Sequence, residues 1–255
     1  MDLQNSYEDA HRAAAYAQLE FPGTYYLAYR DLPAIFRRYT RGQQAVDFGC
    51  GTGRSTRFLQ ELGFQTVGVD IAEDMLVNAR SLDPDGEYVL LEEPENRDGQ
   101  DESTGAGLGQ FPADATDLVL SAFTFDNIPG LERKVGLMTD IARLLGPAGI
   151  FVNLVSSPEI YVNEWASFST KDYPENRQAR SGDQVMCVIT EIDDSRPVTD
   201  ILCTDEDYRA IYESAGLRLL ETLRPLGRPE EPQLWVNEAR IPPWTIYVLG
   251  KGSAV

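Results

Sequence analysis

The chain has 255 residues, a hydrophobic fraction of 42% and a formal net charge of -19, so it can bury a substantial core while its surface repels a phosphate polyanion and nucleic acid is not an expected partner. No apolar run reaches membrane-spanning length, and the amino terminus MDLQNSYEDAHRAAAYAQLE lacks a signal-peptide core, so a soluble, cytoplasmic protein without a membrane partner is expected. Cys50, Cys187 and Cys203 are odd in number and show no CxxC spacing, which argues against a disulfide framework and against a zinc site.

Residues 1–42 read as amino-terminal helices laid over one face of the core, a helical lid. Arg30, Arg37, Arg38 and Arg41 in RDLPAIFRRYTR read as a solvated helix face. From Gln43 strands and helices alternate: QAVDF is a buried strand, RSTRFLQELG a helix closed by Gly63, and QTVGVD a second strand. AEDMLVNARSL is a helix, EYVLLE a third strand and TDLVLSAF a fourth. LERKVGLMTDIARLLGPAG reads as a helix ended by Gly146 and Pro147, and IFVNLVSS as a fifth strand. DEDYRAIYESAGLRLLETLRPL gives helix, glycine and strand, and WTIYVLGK a last strand; these final two strands suit an antiparallel edge hairpin.

This β-then-α order predicts an α/β fold with a doubly wound, mostly parallel seven-stranded sheet. Its core is assigned to 43–157 and 198–255. Between them, 158–197 reads as a cap in which DQVMCVIT and RPVTDILC form paired strands, over the carboxyl ends of the sheet where such folds bind ligands. The stretch from Glu92 to Phe111, EEPENRDGQDESTGAGLGQF, is acidic and glycine-rich and reads as a mobile loop.

VDFGCGTGRS places Gly49, Gly51 and Gly53 directly after the first strand, where glycines let a backbone approach a ligand and turn into a helix. Dinucleotide enzymes use GxGxxG and aim the helix at a pyrophosphate. Here the spacing is GxGxG, and Asp47 just upstream disfavours pyrophosphate and suits a cation. Asp70, at the end of the second strand, is placed to accept hydrogen bonds from a ribose diol. A ribose and a cation without phosphate describe S-adenosyl-L-methionine, with its ammonium at Asp47 and its diol at Asp70.

VDFGCGTG, GVDIAEDML, DLVLSAF and the element order resemble the class I S-adenosylmethionine-dependent methyltransferases from Gln43 to Lys251. The resemblance implies a Rossmann-like methyltransferase fold in which Gly49, Gly51 and Gly53 line the methionine part, Asp70 holds the ribose, and Ile71 and Met75 flank the adenine. Glu92 or Glu93 would accept from the adenine amine, and Ser121, Ala122 and Phe123 would lie beneath the sulfonium. The acidic loop after Glu92 departs from the short link usual in the family. FPGTYYLAYRDLP, FTFDNIP, SSPEIYVNEWASFSTKDYPEN and PPWTIYVL further resemble small toxoflavin-type N-methyltransferases, which alkylate ring nitrogens of heteroaromatic natural products. Tyr25 and Arg30 would then close over the cofactor, with Arg30 on the methionine carboxylate; a surface ion pair is the competing reading of Arg30.

Methyl transfer is an in-line displacement that needs alignment rather than a protein nucleophile, and no Ser/His/Asp arrangement is suggested. His11, the only histidine, lies in the amino-terminal segment and reads as a solvated helix position. Asp126 and Asn127 follow the fourth strand, where acceptors are commonly held; orienting or deprotonating an N–H or O–H competes with helix capping for Asp126. FDNIPG falls short of the NPPY-type signature of amino-methylating enzymes. Glu164 reads either as a base or as an ion-pair partner in the cap. Tyr16, Tyr26, Phe125, Tyr161, Trp165 and Trp235 suggest aromatic walls for a flat small-molecule acceptor. The expected activity is methylation of nitrogen or oxygen on such a metabolite in natural-product biosynthesis; a protein methyltransferase and a non-catalytic cofactor-binding subunit are the alternatives.

Overall fold

The computed structural model describes residues 23–92 and 107–252. The expectations for Tyr16, Glu93, His11, the first part of the lid and most of the acidic loop lie outside these residues.

Two short helices, α1 (Gly23–Arg30) and α2 (Leu32–Tyr39), precede the core, with Pro33 early in α2. Then come β1 (Gln44–Phe48), α3 (Arg54–Glu61), β2 (Gln65–Asp70), α4 (Glu73–Leu82) and β3 (Glu87–Leu90). Beyond the acidic stretch lie β4 (Thr116–Ala122), α5 (Leu131–Leu144) and β5 (Leu145–Ser156). Helix α5 passes into β5 without a loop, so the strand starts ahead of the IFVNLVSS run that marks it in sequence.

The seven strands are ordered β3-β2-β1-β4-β5-β10-β9, where β9 is Leu217–Leu223 and β10 is Trp244–Lys251. All pairings are parallel except those of β10, which is antiparallel to both β5 and β9. The expected hairpin therefore forms with its last strand inserted inside the sheet and β9 at the edge. The chain reverses its direction of winding between β1 and β4, and the carboxyl ends of these strands frame a crevice.

Alternation along β4 and β5 sends side chains to two separate cores. Leu118, Leu120, Val152 and Leu154 face α1, α2 and Leu59 of α3, while Val119, Phe151 and Val155 face α5 and α6 (Asp205–Ser214). Helix α6 begins at Thr204, whose Oγ1 accepts from the Asp207 N–H at 3.3 Å, a side-chain cap for an otherwise orphan donor.

Between β5 and α6 lies a small antiparallel sheet of β6 (Phe168–Ser169), β7 (Gln184–Ile189) and β8 (Val198–Ile201). Val185 stands opposite Asp200 and Cys187 opposite Val198. The sheet thus reaches past the boundary at 197, because β8 supplies the ladder that β7 needs. Among the described residues no helix is long and apolar enough to cross a membrane, and no cluster of His, Cys, Asp or Glu is placed to hold a metal.

Candidate active site

The glycine loop leaves β1 with all three glycines in the left-handed region, at φ of +72° for Gly49, +54° for Gly51 and +78° for Gly53. The Gly49 and Cys50 N–H groups donate to Val69 O at 2.8 and 3.0 Å, which ties the loop to β2. A Cβ on Gly49 would lie 2.2 Å from Thr124 Oγ1 and one on Gly53 2.5 Å from Tyr88 Oη, whereas one on Gly51 would meet nothing within 4 Å. Two glycines thus serve packing, and the third opens onto the space a ligand would take. Gly49→Ala is expected to destabilise the free protein clearly more than Gly51→Ala, whose cost is the backbone preference of about 1 kcal/mol. Denaturant unfolding of both variants, with S-adenosylhomocysteine affinity measured alongside, checks this; equal destabilisation would contradict it.

Asp47 is fully buried at the centre of this arrangement. One oxygen, Oδ2, accepts from Ser55 Oγ and Thr56 Oγ1, both at 2.7 Å, while Oδ1 is buried with no hydrogen-bond partner among the described residues. Gly68, the register partner of Asp47 on β2, makes room for α3: a Cβ there would be 2.8 Å from Thr56 Oγ1. Burial pushes the Asp47 carboxyl up to about 6 against the two hydroxyl donors, with the Asp70 charge adding to the rise and Arg54 opposing it.

Asp70 is partly exposed at the end of β2. Its Oδ2 accepts from the Gly51 N–H at 2.8 Å and its Oδ1 from the Ala72 N–H at 2.9 Å. Burial raises its pKa, and the N–H donors of Ala72, Gly51 and Ile71 oppose the rise. It clamps the glycine loop, and each oxygen keeps a lone pair for a further donor. Beside it Ile71 is 38% exposed, an apolar surface at the rim, while Met75 is buried in α4. Glu92 is exposed just beyond β3, next to Leu91, whose N–H donates to Asp70 O at 2.8 Å.

Arg30 lies elsewhere. It pairs with Asp31 at 2.8 Å and Glu231 at 2.7 Å and donates to Leu226 O at 2.9 Å, an ion pair that is largely buried rather than on the surface. Two cations stand beside the loop: Arg57, which donates to Thr52 O at 2.9 Å, and Arg54, which immediately follows Gly53 and has the aromatic contacts. The Arg54 guanidinium carbon stands 4.8 Å from the Tyr25 ring centroid and 5.4 Å from that of Tyr29. Sequence reading passed over Arg54 because RSTRFLQELG reads as an amphipathic helix; its position directly behind the third glycine was the available signal.

Tyr25 belongs to a close aromatic set. Its ring centroid is 5.7 Å from Phe123, 5.1 Å from Phe168 and 5.8 Å from Trp244, and Phe123 is 4.7 Å from Trp244. Trp244 and Phe168 are both buried and were not anticipated; WTIYVLGK reads as an ordinary strand, and Trp244 is set by pairing opposite Ser156.

At the end of β4 the residues divide between the two faces. Ser121 is paired with Asn153, and both side chains are fully buried toward α5 and α6 with Ser121 Oγ and Asn153 Oδ1 unpartnered among the described residues. The Ser121 side chain therefore does not line the crevice, whereas Ala122 and Phe123 are partly exposed and packed against the α1 side. Phe125 is likewise core, 5.7 Å from Phe48 and 6.1 Å from Phe151. Asp126 is buried, its Oδ2 accepting from the Ser156 N–H at 2.9 Å and its Oδ1 from Tyr208 Oη at 3.4 Å. Asn127 Nδ2 donates to Phe123 O at 3.1 Å. Both residues fix the turn rather than face an acceptor.

In the cap, Tyr161 and Trp165 are buried, with Tyr161 Oη donating to Asp200 Oδ2 at 2.9 Å and Trp165 Nε1 to Ile160 O at 2.8 Å. They build the cap instead of lining a pocket. Tyr26 and Trp235 are half-buried and tilted together at 6.3 Å. Burial works against the Glu164 carboxylate, but the Thr170 N–H and the Ser169 and Thr170 hydroxyls outweigh it and hold its pKa below the usual value, so it serves the cap.

Glu238, unremarked in the sequence, is fully buried where α1, the cap and the 224–243 loop meet. Its Oε1 accepts from Thr24 Oγ1 and the Ala166 N–H, both at 2.7 Å, and its Oε2 from the Val236 and Asn237 N–H groups at 2.7 and 3.0 Å.

Residues 46–153 match a family described as a methyltransferase domain. Over 113 residues the chain is 30% identical to the demethylmenaquinone methyltransferase of Tropheryma whipplei, a stretch covering 44% of this chain and 41% of that relative. The chain thus matches less than half the length of that protein. Among solved structures it is similar to Streptomyces venezuelae DesVI (TM-score 0.60, 18% identity, 98% of this chain and 100% of that one). It is also similar to a putative S-adenosylmethionine-dependent methyltransferase from Listeria monocytogenes (TM-score 0.58, 17% identity, 89% and 99% covered). The fold is that of these solved structures, and the glycine-loop site lies within the stretch that matches the methyltransferase-domain family. That match runs from Val46 to Asn153, and the cofactor it implies is S-adenosylmethionine. The residues present fit it: a buried carboxylate oxygen without a partner, an open glycine, and a second acid at the end of β2.

Proposed function

We propose that this protein methylates a nitrogen or oxygen of a small aromatic or heteroaromatic metabolite, in the cytoplasm and as a step of natural-product biosynthesis. When bound, S-adenosylmethionine supplies an activated methyl group on its sulfonium. Asp47 Oδ1 receives the cofactor ammonium, and Arg54, in place of Arg30, receives its carboxylate. Asp70 accepts from the ribose hydroxyls, Ile71 and Met75 flank the adenine, and Glu92 or Glu93 takes the adenine amine. Gly49, Gly51 and Gly53 let the loop approach. Tyr25, Phe123 and Trp244 form the wall on the acceptor side, and the cap (158–201), with the lid (1–42), shuts water out. The chain contributes alignment in a dry, aromatic crevice and needs no nucleophile of its own.

The observation that carries this reading is the Asp47 oxygen that has no partner among the described residues, beside the open Gly51; a buried acceptor left without a donor calls for one, and a ligand ammonium supplies it. The test is incubation with methyl-labelled S-adenosylmethionine and extracts of the source organism, followed by mass spectrometry. Label in a small aromatic product is expected. Label confined to macromolecules would transfer the assignment to a protein methyltransferase, and bound cofactor with no label in any fraction would make the chain a non-catalytic subunit.

A further inference from the structure

The five residues after β4 are fastened from several directions, by strand ends within the sheet and by two side chains from helices on its far face. Phe123 is a bulky residue at φ +66°, its N–H donating to Leu154 O at 2.8 Å. Such a conformation costs on the order of 1–3 kcal/mol and persists only where the surroundings over-determine it. Thr124 Oγ1 donates to Phe48 O at 3.0 Å, which joins the turn to the root of the glycine loop. The Phe125 carbonyl accepts from Lys134 Nζ, and Asp126 receives the Ser156 N–H and Tyr208 Oη.

Lys134 is the unexpected member. It is 1% exposed on α5, with its Nζ 5.6 Å from the Tyr208 ring centroid. A buried ammonium is costly unless it is paired and hydrogen-bonded. Here the Phe125 carbonyl, the Asp126 charge and the ring face of Tyr208 together receive it. Nothing in the proposed chemistry uses this lysine, and it stands on the face of the sheet opposite Asp47 and α3.

We infer that Lys134 and Asp126 are positioning residues for methyl transfer: from the far face they hold the Phe123–Asn127 turn so that Phe123 keeps its left-handed backbone and its ring stays seated against Trp244 and Tyr25. The functional half of this inference rests on the methyltransferase reading above. The geometry has a direct consequence. The ring that walls the acceptor side is set by a charge cluster that touches neither cofactor nor acceptor.

The test labels the three tryptophans with 5-fluorotryptophan and follows them by 19F NMR, with the Trp244 signal assigned from Trp244→Phe. In Lys134→Met and in Asp126→Asn the Trp244 resonance is expected to move while those of Trp165 and Trp235 stay in place. The Met stem keeps the volume of the lysine but leaves Asp126 and the Phe125 carbonyl without their cation; Lys134→Gln, which retains a donor, serves where Lys134→Met does not fold. Affinity for S-adenosylhomocysteine is expected to stay within about threefold of the native protein, and the label-transfer kcat to fall about tenfold or more. A Trp244 resonance that stays in place in both variants overturns the inference, as does an unchanged kcat. Failure of the native protein to bind S-adenosylhomocysteine would remove the methyltransferase reading instead, and the Trp244 signal would still decide how the turn is held.

Discussion

Asp47→Asn is expected to weaken S-adenosylhomocysteine binding by about 10- to 100-fold, the loss of one buried charge-assisted hydrogen bond, while leaving the free protein at least as stable as the native one. The two effects separate because Asn still offers an oxygen to Ser55 and Thr56 but carries no charge to desolvate. Burial lifts the Asp47 carboxyl to about 6 in the free protein. With its pKa raised, the acid stabilises the fold below its unfolded value near 4, and that contribution is lost as pH rises through about 6. Ligand binding has the opposite sign, since the ammonium selects the carboxylate. Affinity should be full above about 6 and lost as pH falls through it, within a window bounded near 8 by the ligand's own amine. Calorimetry from pH 5 to pH 7.5 tests this. A native profile identical to that of Asp47→Asn would assign the pH dependence to Asp70, whose pKa burial also raises.

The second large effect is structural. Glu238→Ala should cost about 2–4 kcal/mol, because it leaves one buried hydroxyl and three part-buried N–H groups without their acceptor. Glu238 receives the Thr24 hydroxyl and the Ala166, Val236 and Asn237 N–H groups, so its loss loosens α1, the cap and the 224–243 loop together. Trp244 shares the anchor, since its Nε1 donates to Thr24 O at 2.8 Å. Urea unfolding with limited proteolysis of the 224–243 loop measures both consequences. A loss below about 1 kcal/mol would mean that apolar packing, not this carboxylate, holds the three pieces.

The strand and helix positions were legible because periodicity is local: QAVDF, QTVGVD and WTIYVLGK coincide with β1, β2 and β10. The glycine loop was legible because its glycines and two acids lie close in sequence. The aromatic set around Tyr25 was not. Phe123, Phe168 and Trp244 meet through pairings between distant segments, and whether an aromatic side chain lines a crevice or fills a core depends on which face its strand presents. Phe125 and Ser121 fall on the α5 and α6 side for that reason, one pleat or one turn away from Ala122 and Phe123, which pack on the α1 side. Asp126 was noticed as an acid after β4, but its partners Tyr208 and Ser156 come from α6 and the end of β5. Glu238 and Lys134 gave no local signal at all, because a buried charge in a loop or on a helix is indistinguishable in sequence from a solvated one.

The insertion of β10 between β5 and β9 bears on how the protein is made. Ser157 and Thr245, hydrogen-bonded at this seam, are 88 residues apart in the chain, and β9 reaches the rest of the sheet only through β10. During translation, β1 to β5 can emerge and collapse while β9 has nothing to dock on. The apolar edge of β5 must wait for residues 244–251 to leave the ribosome, which makes the nascent chain dependent on protection over that interval.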